Sequence, residues 1–285
     1  MARLRIDFYS QSLHMNTNAT VILPENNVDF IYGGVRRNDE GKIPVVWLLH
    51  GMGDDCTSWE RFTHVERYAI SRGIAVVMPS VLNQCYYGNM VKGPRYFDFI
   101  SNEGVEVFRD LFPQFSTRRE DNVIAGLSMG GYGALRIGLS YPERYAAIGC
   151  FSAGNLLEIE SILPPENDTS SSFLEPFSGV ARNVLDTAKI LDAKGTEHDI
   201  DYLLDKAVCE GKELPDIHMY CGTEDFLLGI SDKYAEHAAS VLPASKFSYT
   251  KAPGVHHWNF WDRWLPVFLD TCGFDSRIPA SQVFD

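Results

Sequence analysis

Residues 123–136 read Val123-Ile124-Ala125-Gly126-Leu127-Ser128-Met129-Gly130-Gly131-Tyr132-Gly133-Ala134-Leu135-Arg136, and this stretch decides the fold. Its centre matches G-x-S-x-G, a pattern that a chain of this length meets by chance roughly one time in ten. The flanks carry more weight. An apolar run leads in as a buried strand, and helical spacing follows from Gly131 to Leu139, so Ser128 stands on a sharp turn between strand and helix. Such a turn strains the backbone at Ser128 and demands small neighbours, which Gly126 and Gly130 supply. The hydroxyl then points outward at the head of a sheet, and the helix N-terminus behind it favours developing negative charge. The plain alternative is a glycine-rich turn with an inert serine.

Outward from this turn the alternation repeats. Val45 to Leu49 is apolar at every position between Pro44 and Gly51, the mark of a strand buried on both faces. Ile74–Met78, Asn122–Ala125, Ala146–Phe151, Ile217–Cys221 and Phe247–Thr250 read as further strands. Leu4–Tyr9 and Ala19–Leu23 read as strands at the start of the chain. Helical spacing marks Trp59–Arg72, Glu103–Phe112, Ser231–Val241 and Trp261–Thr271, and the first of these puts Trp59, Phe62, Val65 and Ala69 on one face. Asn26–Lys42 and Asn83–Arg95 read as loops. Strands alternating with helices predict an α/β fold, with a mainly parallel central sheet flanked by helices. One stretch departs from the pattern. Residues 155–213 carry no strand signal and read as helical over Phe177–Leu191 and Ile200–Cys209. The expectation is a single domain over residues 1–285 with a helical insertion at 155–213, either a cap or an elaborated crossover.

The ends of these strands hold the chemistry. A serine nucleophile needs a base, and the base needs an orienting acid. In a sheet of this kind the chain order is serine, acid, histidine. Asp225 follows the Ile217–Cys221 strand and is the expected acid, with Glu224 as runner-up. His256 and His257 follow the Phe247–Thr250 strand, and neighbouring side chains in an extended loop point apart, so only one serves as base. Acyl transfer also needs two N–H donors aimed at the developing oxyanion. Met129, next after the serine, supplies one. Met52, in the loop Leu48-Leu49-His50-Gly51-Met52-Gly53, supplies the other, and His50 pins that loop by hydrogen bonding. Tyr86, Tyr87, Tyr96, Phe97 and Trp258 either line an aromatic substrate pocket or belong to the core.

Composition narrows the partners. The chain has 285 residues, and 25 Lys and Arg against 38 Asp and Glu leave a formal charge of −13. With a pI near 5.0, a broad basic face for nucleic acid and docking on anionic membranes are both disfavoured. No apolar run approaches the ~20 residues that span a bilayer. The start, MARLRIDFYSQSLHMN, lacks the apolar centre of a signal peptide, so a cytoplasmic setting is expected. The six cysteines are scattered without C-x-x-C spacing and read as reduced thiols. There is no H-E-x-x-H, no paired Cys or His at ligand spacing and no phosphate-binding glycine loop, so no metal and no cofactor are expected.

Taken together, LLHGMGDDCTSW, GLSMGGYGALR, CGTEDFLL and PGVHHWNFWDRW resemble the esterase D and tributyrin esterase-like branch of the α/β-hydrolases, near the feruloyl and acetyl esterases of carbohydrate esterase family 1. The resemblance covers residues 1–153 and 214–273. It implies a serine carboxylesterase acting on short-chain or aromatic acyl esters, small or carbohydrate-linked, with a triad of Ser128, Asp225 and His256. His256 takes the base position because it stands two residues after Gly254 and two before Trp258. The family often carries Asp or Asn where this chain has His257. S-formylglutathione hydrolases, which cleave a thioester, and mycolyltransferases, which pass the acyl group to an alcohol, use the same triad. A binding module without catalysis on the same scaffold is the remaining reading. The oligomeric state is left open, with homo-oligomers included.

Overall fold

The structure is a computed structural model and describes residues 1–25, 33–82, 85–161 and 180–278. Eight strands form one sheet: β1 (Ala2–Ser10), β2 (Met15–Leu23), β3 (Val45–Leu49), β4 (Ala75–Pro79), β5 (Asn122–Leu127), β6 (Ala147–Phe151), β7 (Asp216–Gly222) and β8 (Phe247–Ala252). Their order is β1-β2-β4-β3-β5-β6-β7-β8. β1 pairs antiparallel with β2 and β2 with β4, while every later pairing is parallel. The mainly parallel sheet expected from the sequence is therefore present, with an antiparallel pair at one edge. Every residue of β3, β4, β5 and β6 is buried. Alternate residues of one strand feed opposite layers: Val45, Trp47 and Leu49 face one core, and Val46 and Leu48 face the other. Each face of such a strand must be covered by helices, which is why these segments are apolar throughout.

The helices are α1 (Ser58–Phe62), α2 (Val65–Arg72), α3 (Gly104–Leu111), α4 (Met129–Ser140), α5 (Ile200–Cys209), α6 (Leu228–Val241) and α7 (Trp258–Thr271). Several differ from the sequence reading, α6 among them, which begins at Leu228 rather than Ser231. Trp59–Arg72 is two helices, because Asp262 on α7 accepts the His64 backbone N–H at 2.8 Å and binds its ring Nδ1 at 2.7 Å. That capture holds Thr63 extended at φ −135°. The helix expected from Glu103 starts earlier, through a short turn at Tyr96–Asp98 and a π turn at Phe99–Glu103. α7 begins at Trp258 rather than Trp261, because the His257 ring caps it.

In the expected insertion, α5 matches Ile200–Cys209. Of the other predicted helix, residues 177–179 lie outside the described residues. Its remainder is a π turn at Ala181–Leu185 and a 3-10 turn from Ile190 to Ala193. Asp186 separates them with φ 55°, a left-handed conformation that ends a helical turn. All six cysteines are free thiols. Among the described residues, no helix is long and apolar enough to cross a membrane.

The register aligns the carboxyl ends of five strands. Leu49 lies beside Gly126, Leu127 beside Phe151, Phe151 beside Tyr220, and Gly222 beside Ala252. The loops leaving β3, β5, β6, β7 and β8 therefore rise from one edge. From β3 the chain moves outward one way to β4, and from β5 it moves the other way to β6. The strand order reverses between β3 and β5, and a crevice at the carboxyl ends opens at such a point.

Candidate active site

Ser128 occupies that crevice, between the last residue of β5 and the first of α4. Its backbone is in a left-handed, strained region at φ 52° and ψ −122°. The Ser128 N–H donates to the Phe151 carbonyl at 2.8 Å, and its own carbonyl accepts from Gly131 and Tyr132 at 2.9 and 3.1 Å. The turn is held from both sides. Its glycines are required by close approach. A Cβ on Gly126 would lie 2.3 Å from the Gly130 carbonyl oxygen, and one on Gly130 would lie 2.5 Å from that of His50.

The loop after β3 presses on the same serine. A Cβ at Gly51 would stand 3.5 Å from the Ser128 Cβ and 2.5 Å from Leu127 Cδ1. Met52, the expected second oxyanion donor, is the next residue and is half-buried. His50 lies beneath. Its Nε2 accepts the Val81 N–H at 3.0 Å, so its Nδ1 carries the proton and donates to the Gly51 carbonyl at 2.7 Å. Burial lowers the His50 pKa and keeps the ring neutral, as this pairing requires. The Asp54 carboxyl accepts from the Gly51 N–H and the Ser58 hydroxyl, and burial raises its pKa.

On the far side, His256 Nδ1 lies 3.0 Å from both Asp225 oxygens. Asp225 also accepts the Leu227 N–H at 2.8 Å. Burial pushes its pKa up, but these donors and the His256 charge outweigh that and hold it below the usual carboxylate range. Glu224, the runner-up acid, instead accepts the Gly254 N–H at 2.7 Å and so ties down the loop carrying His256. The His256 ring lies between Phe226, at 4.5 Å between centroids, and Trp261, at 5.0 Å and edge-on. His257 points elsewhere. Its Nδ1 accepts from the Asn259 N–H at 3.2 Å, and the ring lines a cavity of about 320 Å³ with Val255, Asn259 and Arg263.

The aromatic residues divide. Tyr86 and Tyr87 lie in the core at 5% and 0% exposure, not at an open pocket. The Tyr87 hydroxyl donates to the His50 carbonyl at 2.9 Å, so this ring supports the Gly51–Met52 loop from below. Tyr96 is buried as well. Trp258 is half-buried and packs edge-on to Trp59 and Trp261, with Phe62 beside it. Four contributors escaped the sequence reading: Ser152, Trp261, Phe226 and the supporting role of Tyr87. Ser152 and Tyr87 both have positive φ, 51° and 50°. Only a glycine would have marked those positions in a sequence. Among the described residues no group of three or more His, Cys, Asp or Glu is placed to hold a metal ion.

The chain is similar to known hydrolases along most of its length. The chain is 29% identical over 269 residues to an acetyl esterase of Caldicellulosiruptor saccharolyticus, across 93% of this chain and 96% of that protein. Two solved Staphylococcus aureus structures superpose on it. One is the substrate-bound fluorophosphonate-binding serine hydrolase FphF, with a TM-score of 0.77 and 30% identity, over 96% of this chain and 99% of that one. The other is the S-formylglutathione hydrolase FrmB, with a TM-score of 0.76 and 30% identity, over 95% of this chain and 98% of that one. The sheet and its flanking helices are those of an α/β-hydrolase. Residues 10–270 match the model of the Esterase family, described as "Putative esterase", and the chain belongs to that family.

Proposed function

We propose that this chain is a serine carboxylesterase that cleaves short-chain or aromatic acyl esters through an acyl-Ser128 intermediate. The observation that carries the reading is the His256 Nδ1 held 3.0 Å from both oxygens of Asp225, on loops that flank the strained Ser128. With Nδ1 so engaged, Nε2 takes the Ser128 proton as Oγ attacks the ester carbonyl. The Met129 and Met52 N–H groups receive the oxyanion. His256 then gives its proton to the leaving alcohol, and a water activated by the same nitrogen releases the acid. Apart from the ester and that water, each step uses groups of this chain.

The acetyl esterase relative, similar along nearly its whole length, supports a small acyl group. The exposed Phe226 ring beside His256, together with Trp258, supports contact with an aromatic or sugar-linked portion of the ester. The likeness to FrmB supports a second reading, thioester cleavage by the same residues. Residues 155–213 we read as an elaborated crossover within one domain. The Val91 N–H donates to the Asn183 carbonyl and the Tyr132 hydroxyl to that of His198, which fastens this segment to the loop after β4 and to α4. Six unbridged thiols fit a cytoplasmic setting.

The test is a rate panel of acetyl, butyryl, octanoyl and feruloyl esters beside one glutathione thioester, run on the wild type and on Ser128→Ala. The expected result is fastest turnover of acetyl or butyryl esters and loss of several decades in kcat for the variant. Because a triad deletion leaves only about 10³–10⁴-fold catalysis over water, a variant retaining more than a few per cent of wild-type turnover overturns the assignment. A thioester preferred a hundredfold selects the second reading.

A further inference from the structure

We propose that the outer edge of β1 joins the same edge of a second copy of this chain, strand against strand, to form a two-fold dimer. The proposal concerns one border of the sheet and stands apart from the chemistry at Ser128. β1 comes first in the sheet order and, among the described residues, pairs with β2 alone. It runs unbroken for nine residues, Ala2 to Ser10, each paired in turn with Leu23 to Met15, without a bulge, a proline or a glycine. A long regular edge presents a row of unpaired N–H and C=O groups. Folded chains usually shorten, bulge or cover such an edge, or add a strand to it.

The side chains of β1 say which strand fits. Leu4, Ile6 and Phe8 face the core but stay only half-buried. Phe8 packs on Phe99 and Phe108, with ring centroids 6.0 and 5.6 Å apart, so this row is fixed from within. Arg3, Arg5, Asp7 and Tyr9 alternate with it and are exposed. Arg3 is engaged by Glu60. Among the described residues Arg5 and Asp7 form no ion pair, although the Arg5 charge reaches Asp55. A two-fold axis perpendicular to the sheet would set two β1 strands antiparallel. Residues directly opposite one another then share a face, so the axis passes beside a residue that meets its own copy. Centred on Arg5 or on Asp7, it would set like charges against each other. Centred on Ile6, the middle of the strand, it makes every pair agree. Ile6 meets the partner's Ile6, Leu4 meets the partner's Phe8, and Arg5 meets the partner's Asp7. Arg3 meets the partner's Tyr9, a cation beside an aromatic ring. This register alone engages the whole of β1, and symmetry repeats each unlike pair. The like charges met in the two adjoining registers act against slippage.

The experiment is sedimentation velocity on the full chain across micromolar concentrations, with circular dichroism as the check on folding. The wild type is expected to form a species of twice the 32.1 kDa chain mass. Asp7→Arg sets two arginines face to face at both symmetry-related positions, and Arg5→Asp does the same with two aspartates. Each should raise the dimer dissociation constant roughly tenfold or more, because two attractive cross-strand pairs become repulsive. The double variant Arg5→Asp with Asp7→Arg restores opposite charges and should return the constant to within about threefold of the wild type. Circular dichroism should be the same in all four proteins, since both positions are exposed. A wild type that stays monomeric throughout, a dimer indifferent to both single substitutions, or a double variant that stays dissociated would each overturn the proposal.

Discussion

At the scale of single residues, the two adjacent histidines have separate work. His256 faces Asp225, and His257 caps α7. Replacing His256 with Ala is expected to remove nearly all turnover of an activated ester while the melting temperature changes little. His257→Ala should keep most of the turnover and lose about 1 kcal/mol of stability, the usual cost of an N-cap. Urea melts beside ester kinetics check both, and the opposite pattern would mean that the base is His257. These positions were legible because serine and acid each follow a recognisable apolar strand, and the histidines follow a short half-exposed one, in a fixed chain order. Ser152 follows a strand too, but a lone serine after Phe151 resembles any loop residue. Its hydroxyl is held by an indole donor 109 positions further on, and no local pattern encodes such a pairing.

Among the elements, the loop after β3 depends on a tyrosine that the sequence reading left between pocket and core. The Tyr87 hydroxyl is the buried donor to the His50 carbonyl, the same oxygen that crowds Gly130. Tyr87→Phe leaves that carbonyl short of a partner and should cost about 1–2 kcal/mol. It should also lower kcat more than it raises KM, because the loop carrying Met52 loosens while the substrate pocket keeps its shape. Unchanged kinetics in a destabilised variant would limit Tyr87 to folding. The strands were legible because burial on both faces demands unbroken apolar runs. The helix ends were less so. The break at Thr63–His64 is imposed by Asp262, nearly two hundred residues away, and periodicity runs through it unmarked. The crossover shows a related limit. Arg136 reads as an ordinary helical arginine, yet it is buried on α4, binds the carbonyls of Tyr87 and Glu197, and lies over the Phe97 ring. A charged residue in a core becomes intelligible only when its acceptors are in place.

For the whole molecule, buried histidines govern the response to acid. Burial, reinforced by the Arg136 charge and opposed by Glu197, lowers the pKa of His198 to about 4 from 6.5. Burial lowers that of His50 in the same direction. The unfolded chain takes up these protons near pH 6.5 and the folded one does not. Stability is therefore retained above that pH and falls as the pH drops toward 4. For His198 alone the loss amounts to about 3 kcal/mol at most, at roughly 1.4 kcal/mol per unit. Urea midpoints between pH 7 and 4.5 should decline, and His198→Gln should flatten the decline. Equal slopes in the two proteins would show that His198 titrates freely in the fold. The sheet order has a further consequence for how activity is lost. The proposed base, His256, rides on the loop after β8, which is an edge strand and half-open to water, whereas the proposed nucleophile, Ser128, follows the fully enclosed β5. Edge ladders open with less free energy than central ones. The nucleophile and its partner therefore belong to cooperative units of different depth. Opening of that edge is expected to part the proposed base from the serine while the rest of the chain stays folded, so activity should fall at lower urea than the global unfolding signal.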